Sequence, residues 1–80
     1  MMWYVYILKT KRGSLYTGIT TCLERRLNEH RRGRGGRFTK TFGVDQLLYS
    51  ETCLNQSEAL RREAEIKAWP RVKKMKLIGG

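Results

Sequence analysis

The sequence predicts an α+β fold in which a three-stranded, mostly antiparallel sheet is flanked by helices. Three features of the chain predict it: two adjacent runs of aromatic and β-branched residues, two segments that begin with helix-capping residues, and a further β-like run between those segments. The expected order is β-β-α-β-α followed by a short C-terminal helix, all within one domain of residues 1–80.

The first two strands are expected to form a hairpin over residues 3–19, with a polar break that contains Gly13. With a loop of residues 9–13, Tyr6 would lie opposite Tyr16, and Tyr4 opposite Gly18. Alternation then gives a core face made of Trp3, Val5, Ile7, Leu15, Thr17 and Ile19. The tyrosines lie on the other face, where they are typical of ordinary sheet packing, although Gly18 would let a neighbour approach closely.

A first helix is expected to begin with Thr21 as N-cap and Glu24 three residues later, and to run to about Arg32 before Gly33 ends it. Its narrow apolar stripe consists of Leu23 and Leu27. Two polar side chains fall beside that stripe at helical spacing, Arg26 and His30. Their position predicts that both lie at the edge of the buried face.

Residues 33–43 contain four glycines and three cations without any period, which predicts a mobile connection. Two interpretations remain open for this segment. Its cations could hold a phosphodiester backbone while Phe38 and Phe42 stack on unpaired bases. Alternatively, it is an ordinary flexible loop whose two phenylalanines pack onto the core.

Residues 44–52 are expected to form the third strand, and residues 56–69 a second helix that begins after Asn55 as N-cap. The apolar positions of this helix are Ala59, Leu60, Ala64, Ile66 and Trp69. Glu63 points with them, so its carboxylate must be paired, bind a metal or be shielded by a cation. Pro70 ends this helix and opens a last short, basic one.

The composition predicts a polyanionic partner. Lysine and arginine number 17 against 7 acidic residues, a formal net charge of +10, which favours nucleic acid first and an anionic membrane surface second. Cys22 and Cys53 lack metal-ligand spacing and are expected to be free, buried and reduced. No apolar run is long enough to span a membrane and no signal peptide is recognised, so we expect a cytoplasmic protein.

The hairpin carries two triplets, Tyr4-Val5-Tyr6 and Tyr16-Thr17-Gly18, whose order and spacing resemble the paired signature of the GIY-YIG nuclease superfamily. Tyr4, Val5 and Thr17 depart from the named motif, whereas Tyr6, Tyr16 and Gly18 match it. The predicted order of strands and helices is also the one that this resemblance implies. The compact length looks most like the small stand-alone GIY-YIG proteins of bacteria.

The resemblance implies a catalytic set at five positions of this chain: Tyr6, Tyr16, Arg26, His30 and Glu63. It implies that one of the two tyrosines activates water, that Arg26 clamps the phosphate, and that Glu63 binds Mg²⁺ or Mn²⁺. We assign Tyr6 as the base and Tyr16 as its hydrogen-bonding neighbour, and the resemblance leaves the opposite assignment open. His30 would orient a water or contact phosphate. Each position also has a structural interpretation: the tyrosines would only pack, Arg26 and Glu63 would form an ion pair, and His30 would cap a carbonyl.

The functional hypothesis is a divalent-metal-dependent nuclease that acts on DNA with structural or weak selectivity, in DNA repair or processing. The residues expected to contact nucleic acid are Arg25, Arg32, Arg34, Arg37 and Lys40. No small-molecule cofactor is expected, and the oligomeric state is left open. The alternative is a non-cleaving nucleic-acid-binding module of the same fold, including an RNA-associated one.

Overall fold

The computed structural model describes residues 1–34 and 43–79. Within these ranges the order is β-β-α-β-α-α, which confirms the predicted α+β architecture. The elements are β1 (Trp3–Thr10), β2 (Leu15–Thr20), α1 (Leu23–Arg31), β3 (Val44–Cys53), α2 (Gln56–Lys67) and α3 (Arg71–Gly79). No helix in the described ranges has both the length and the apolar character that crossing a bilayer requires.

The three described strands form a sheet in the order β2-β1-β3, and both pairings are antiparallel. The central strand β1 has four consecutive buried residues, Val5, Tyr6, Ile7 and Leu8. Since neighbouring side chains of a strand point to opposite faces, such a run means that both faces of the sheet are covered.

The register of the hairpin differs from the prediction by two residues. Tyr6 lies opposite Gly18, and Tyr16 lies opposite Leu8. The turn is tighter than expected because the amide of Thr10 donates to the carbonyl of Ser14 at 2.9 Å, while Gly13 takes a φ of +87°. A shift of two preserves the alternation, so each side chain keeps its predicted face.

The two faces of the sheet have separate cores. On one face, Val5 and Ile7 pack with Ala59 and Ile66 of α2, and the partly buried side chains around them include Trp3, Ile19, Trp69, Leu77 and Ile78. On the other face, Tyr6 and Leu8 pack with Val44, and Tyr16, Leu23, Leu27 and Leu47 surround them. Helix α1 therefore covers the tyrosine face, and α2 and α3 cover the opposite one.

The start of α1 was predicted one residue too early. Cys22, not Thr21, is the N-cap, and it makes no side-chain capping bond. The Thr20 hydroxyl instead accepts from the Cys22 amide at 3.1 Å and donates to the Cys22 carbonyl at 3.2 Å. This position leaves Cys22 exposed, contrary to prediction, whereas Cys53 is buried; both are free thiols. The helix ends before Gly33, whose φ of +77° suits a helix terminus.

Helix α2 begins as predicted, because the Asn55 side chain accepts from the Glu58 amide at 2.9 Å. It ends at Lys67, two residues before the predicted end at Trp69. The predicted apolar stripe is also too wide: Ala59 and Ile66 are buried, but Ala64 is exposed and Leu60 is 47% exposed. The buried contact is thus a narrow line along the helix.

Candidate active site

The site is built around the hydroxyl group of Tyr6, a side chain that is only 2% exposed. Its oxygen lies 2.8 Å from Nε2 of His30, a hydrogen bond between residues 24 positions apart in the chain. The Tyr16 ring lies against both, with centroid distances of 6.4 Å to Tyr6 and 5.2 Å to His30. These separations are typical of packed aromatic pairs. Two strands and α1 therefore fix the phenol from three sides.

Gly18 lies on the neighbouring strand, where the Tyr6 ring crosses the backbone. A Cβ atom at this position would lie 2.5 Å from the Tyr6 oxygen and 3.1 Å from Cε2 of Tyr16. Real Cβ atoms essentially never approach so closely. The absence of a side chain at Gly18 is therefore a condition for placing the phenol against β2.

Arg26 links the buried tyrosine to the surface. Its side chain is hydrogen-bonded to Tyr6, and its Nη1 donates to Oε1 of Glu29 at 3.3 Å. The Arg26 side chain remains 31% exposed. A guanidinium so placed can contact a phosphate from solution without leaving Tyr6, because it presents several donors in one plane.

Glu29 is a residue of this site that sequence reasoning missed. It lies three residues after Arg26 and directly before His30, and residues three apart in a helix are neighbours. This spacing alone could have indicated a pair between Glu29 and Arg26. In the structure it pairs with Arg26, and its carboxylate also raises the pKa of His30 slightly against the stronger effects that lower it.

Glu63 lies on α2, which packs against β1 and β2 on the face of the sheet opposite the tyrosines. Its carboxylate is close enough to contribute to raising the pKa of Tyr6. The side chain is 19% exposed, and its Oε2 lies 3.4 Å from Nζ of Lys67, one helical turn further on. The partly buried carboxylate is therefore balanced by a lysine in this structure.

Two pKa shifts describe the electrostatics of the site. Burial raises the pKa of Tyr6 above its ordinary value, and the hydrogen bond and charge of Arg26 oppose that effect. Burial lowers the pKa of His30 to about 4, and the charge of Arg26 acts in the same direction. At neutral pH the phenol is thus protonated and the imidazole is uncharged, so His30 can accept a hydrogen bond from Tyr6.

The residues of the site suit a metal ion that keeps most of its water ligands, not one that is enclosed by protein ligands. In the described part of the chain, no group of three or more His, Cys, Asp or Glu side chains is placed to hold a metal ion. Mg²⁺ keeps several waters and binds through one or two carboxylates together with substrate phosphates. The single carboxylate of Glu63 fits that mode, with the remaining ligands supplied by water and substrate.

The predicted phosphate contacts divide into two groups. Arg25, Arg32 and Arg34 are exposed, and they line one open hollow of about 320 Å³ beside α1 together with Asn28 and Glu29. Arg37 and Lys40 lie outside the described residues, as do Phe38 and Phe42. The described cations form a positively charged surface next to Arg26.

The chain matches one protein family along most of its length. The model of the GIY-YIG catalytic domain matches residues 2–76. A UPF0213 protein of Staphylococcus saprophyticus is 49% identical over 75 residues, which cover 94% of this chain and 92% of the relative. A UPF0213 protein of Oceanobacillus iheyensis is 47% identical, with coverages of 94% and 87%.

A solved structure shows the same fold. The solution NMR structure of a UPF0213 protein from Bacillus halodurans matches with a TM-score of 0.63 and 40% sequence identity, over 99% of this chain and 84% of that one. Its similarity supports the strand order and the placement of the helices described above. The chain therefore belongs to the GIY-YIG nuclease superfamily, and its relatives are small bacterial UPF0213 proteins.

Proposed function

We propose that the protein is a divalent-metal-dependent nuclease that hydrolyses phosphodiester bonds of DNA. The observation that carries the proposal is the set of contacts to one hydroxyl group: Tyr6 is bonded to His30 and Arg26, packs beside Tyr16, and lies in the field of Glu63. A purely structural tyrosine needs one hydrogen-bond partner, and it does not require a base, a guanidinium and a carboxylate together.

Tyr6 would take the proton of the attacking water, and His30 would hold the phenol in place. Nε2 of His30 accepts the hydrogen bond of Tyr6 and fixes the direction of its hydroxyl group, but with a pKa lowered to about 4 it is a poor acceptor of the proton itself. The phenolate that takes the proton of water would instead be stabilised by the hydrogen bond and charge of Arg26. The charge of Arg26 is needed there because desolvation disfavours a free phenolate. The resemblance implied that His30 orients a water or contacts phosphate; because the residue is only 1% exposed, we propose a positioning role for it within the site.

Arg26 and Glu63 would act on the phosphate. Arg26 bonds Tyr6 and extends to the surface, so it would hold the scissile phosphate within reach of the activated water and offset its growing negative charge. Glu63 would hold Mg²⁺ or Mn²⁺, which when bound supplies positive charge to the phosphate and the leaving oxygen. Lys67 would turn away from Glu63 when the ion binds.

The described contacts favour cutting with structural or weak selectivity, as in DNA repair or processing. The exposed arginines beside α1 can contact phosphates of any sequence, and phosphate contacts position a protein without reading bases. RNA carries the same phosphates and is a second substrate class that an assay has to include.

One observation favours an alternative, a nucleic-acid-binding module that does not cleave. The ion pair between Glu63 and Lys67 at 3.4 Å already neutralises the carboxylate that the metal needs. In that case the basic surface alone would be functional, and binding would be strong, salt-dependent and independent of metal.

A cleavage assay separates the two functions. End-labelled single-stranded, duplex and branched DNA, and a matching RNA, are incubated with Mg²⁺, Mn²⁺ or EDTA. The proposal expects cutting that needs metal and falls by at least 100-fold in Glu63→Gln. Glu65→Gln is the matched control, because Glu65 lies on the same helix but pairs with Arg62 at 2.7 Å. Binding without cutting under all conditions establishes the alternative.

A further inference from the structure

An open hollow of about 300 Å³ adjoins the site at the end of β2 and the start of α1. Its lining combines an aromatic ring, an aliphatic side chain, two guanidinium groups and a carboxylate. The residues are Trp3, Ile19, Thr20, Thr21, Arg25, Arg26 and Glu29. The volume lies at the lower end of the range of small-ligand pockets, roughly 300–1,000 Å³.

Trp3 contributes an aromatic residue to the lining of the hollow. It is the first residue of β1 and is only partly buried, although it packs against the core beneath α2. Ile19 on β2 is likewise partly buried and lines the same hollow. A tryptophan that is anchored by the core while part of it faces a hollow is a rigid platform for a flat, apolar ring.

Arg26 ties the hollow to the reaction centre. The same guanidinium that is bonded to Tyr6 also lines the hollow, and Arg25 lies beside it. A phosphate held by Arg26 would therefore have its own nucleotide or the next one at the mouth of the hollow. Unpaired bases stack on aromatic side chains, whereas the faces of bases inside a duplex are covered by their neighbours.

We propose that this hollow binds one unpaired nucleotide adjacent to the scissile phosphate, with the base stacked on Trp3. The inference rests on the proposed function, because it places that nucleotide next to the phosphate which Arg26 holds. It assigns the substrate class: the strand that enters the site is single-stranded at this point, as in a flap, gap, loop or end.

The polar groups of the hollow favour tolerance of base identity. The Thr20 hydroxyl both accepts from and donates to Cys22, and the Glu29 carboxylate bonds Arg26. These groups are engaged within the protein, so stacking and phosphate contacts provide most of the binding. We therefore expect similar affinity for unpaired thymine, cytosine and adenine at this position.

The first test is a binding measurement in EDTA, which does not depend on cleavage. The protein has two tryptophans, and Trp69→Phe leaves Trp3 as the only one, whose emission is excited selectively at wavelengths that the four tyrosines do not absorb. Short oligothymidylate at saturation, with occupancy checked by anisotropy, should quench Trp3 emission, and a blunt duplex at equal occupancy should not. An oligouridylate arm shows whether RNA enters as well as DNA. Absence of quenching by saturating single strands, or equal quenching by duplex, overturns the proposal.

The second test uses two substitutions at Trp3. Trp3→Phe keeps an aromatic face and should bind oligothymidylate nearly as well as the wild type. Trp3→Leu keeps apolar packing but removes stacking, and should weaken that binding by about 5- to 150-fold, with duplex binding unchanged. Equal single-strand affinities of the two folded variants refute stacking. If Trp3→Leu does not fold, the proposal is judged by the quenching of Trp3 in the Trp69→Phe protein, which keeps the ring.

The outcomes separate this inference from the proposed function. Quenching by single strands from a protein that never cuts supports the nucleotide site and contradicts the nuclease. Metal-dependent cutting without Trp3 quenching supports the nuclease and rejects the nucleotide site.

Discussion

Replacing Gly18 by alanine would insert one methyl group between β2 and the Tyr6 phenol. The new Cβ would lie 2.5 Å from the Tyr6 oxygen, and an ordinary contact begins at 3.4 Å, so the phenol or the strand has to move by about 0.9 Å. The ring cannot swing into solvent, because Tyr6 is 2% exposed and packs with Tyr16 and His30. Overpacking of a filled site costs about 1–3 kcal/mol.

The displacement would also stretch the 2.8 Å bond between Tyr6 and His30, so we expect a loss of activity larger than the loss of folded protein explains. Urea unfolding gives the free energy of unfolding, and single-turnover cleavage gives the rate of the folded fraction. Gly79→Ala is the matched control, since a Cβ there meets nothing within 4 Å. A Gly18→Ala protein with wild-type stability and rate would refute the claim that this glycine positions the phenol.

Three further predictions concern stability. Because the pKa of His30 is lowered to about 4 in the folded protein, the unfolded state binds the proton more strongly between pH 6.5 and 4. Stability should therefore fall by about 2 kcal/mol between pH 7 and 5, and urea titrations of His30→Gln should lack that fall. Asn55→Ala removes the cap of α2 and should cost about 1 kcal/mol in the same titration without changing cleavage; an unchanged midpoint contradicts the capping bond. Glu51→Gln weakens the hydrogen bonds that Arg62 and Tyr49 donate to this residue. It should lower the free energy of unfolding by about 1 kcal/mol and leave cleavage normal. A loss of cleavage would show that these residues act on the site.

The order of strands and helices was predictable because local patterns specify it. Alternating apolar residues in β1 and β2, the Asn55 cap and the break at Pro70 each act within a few residues. The hairpin register was not predictable in the same way. It depends on the turn at Gly13, where one extra bond from Thr10 moves the pairing by two residues while every side chain keeps its face.

The burial errors come from the small size of the domain. Cys22 and Leu60 are apolar enough to suggest burial, but α1 and α2 each present only a narrow line to the sheet, and residues beside that line stay in solvent. A domain of this length has too little interior to cover every apolar side chain.

The contacts within the site are long-range, and this is why the sequence could suggest its members but not their arrangement. The bond from Tyr6 to His30 joins residues 24 positions apart, and no local pattern encodes it. Glu29 was overlooked because an exposed glutamate among arginines is typical of a solvated helix surface. Its pairing with Arg26 matters for the site because the same guanidinium also bonds Tyr6, and only the structure shows both contacts.

The most direct test of the central claim compares two tyrosine hydroxyl groups. Tyr6 bonds His30 in the site, and Tyr49 bonds Glu51 at 3.0 Å elsewhere on the sheet. Single-turnover cleavage of single-stranded DNA with Mg²⁺ is measured for Tyr6→Phe and Tyr49→Phe, each shown to be folded and to bind DNA in EDTA. We predict a rate loss of about 100- to 10,000-fold for Tyr6→Phe and a near wild-type rate for Tyr49→Phe. Equal rates for the two variants would contradict proton transfer by Tyr6.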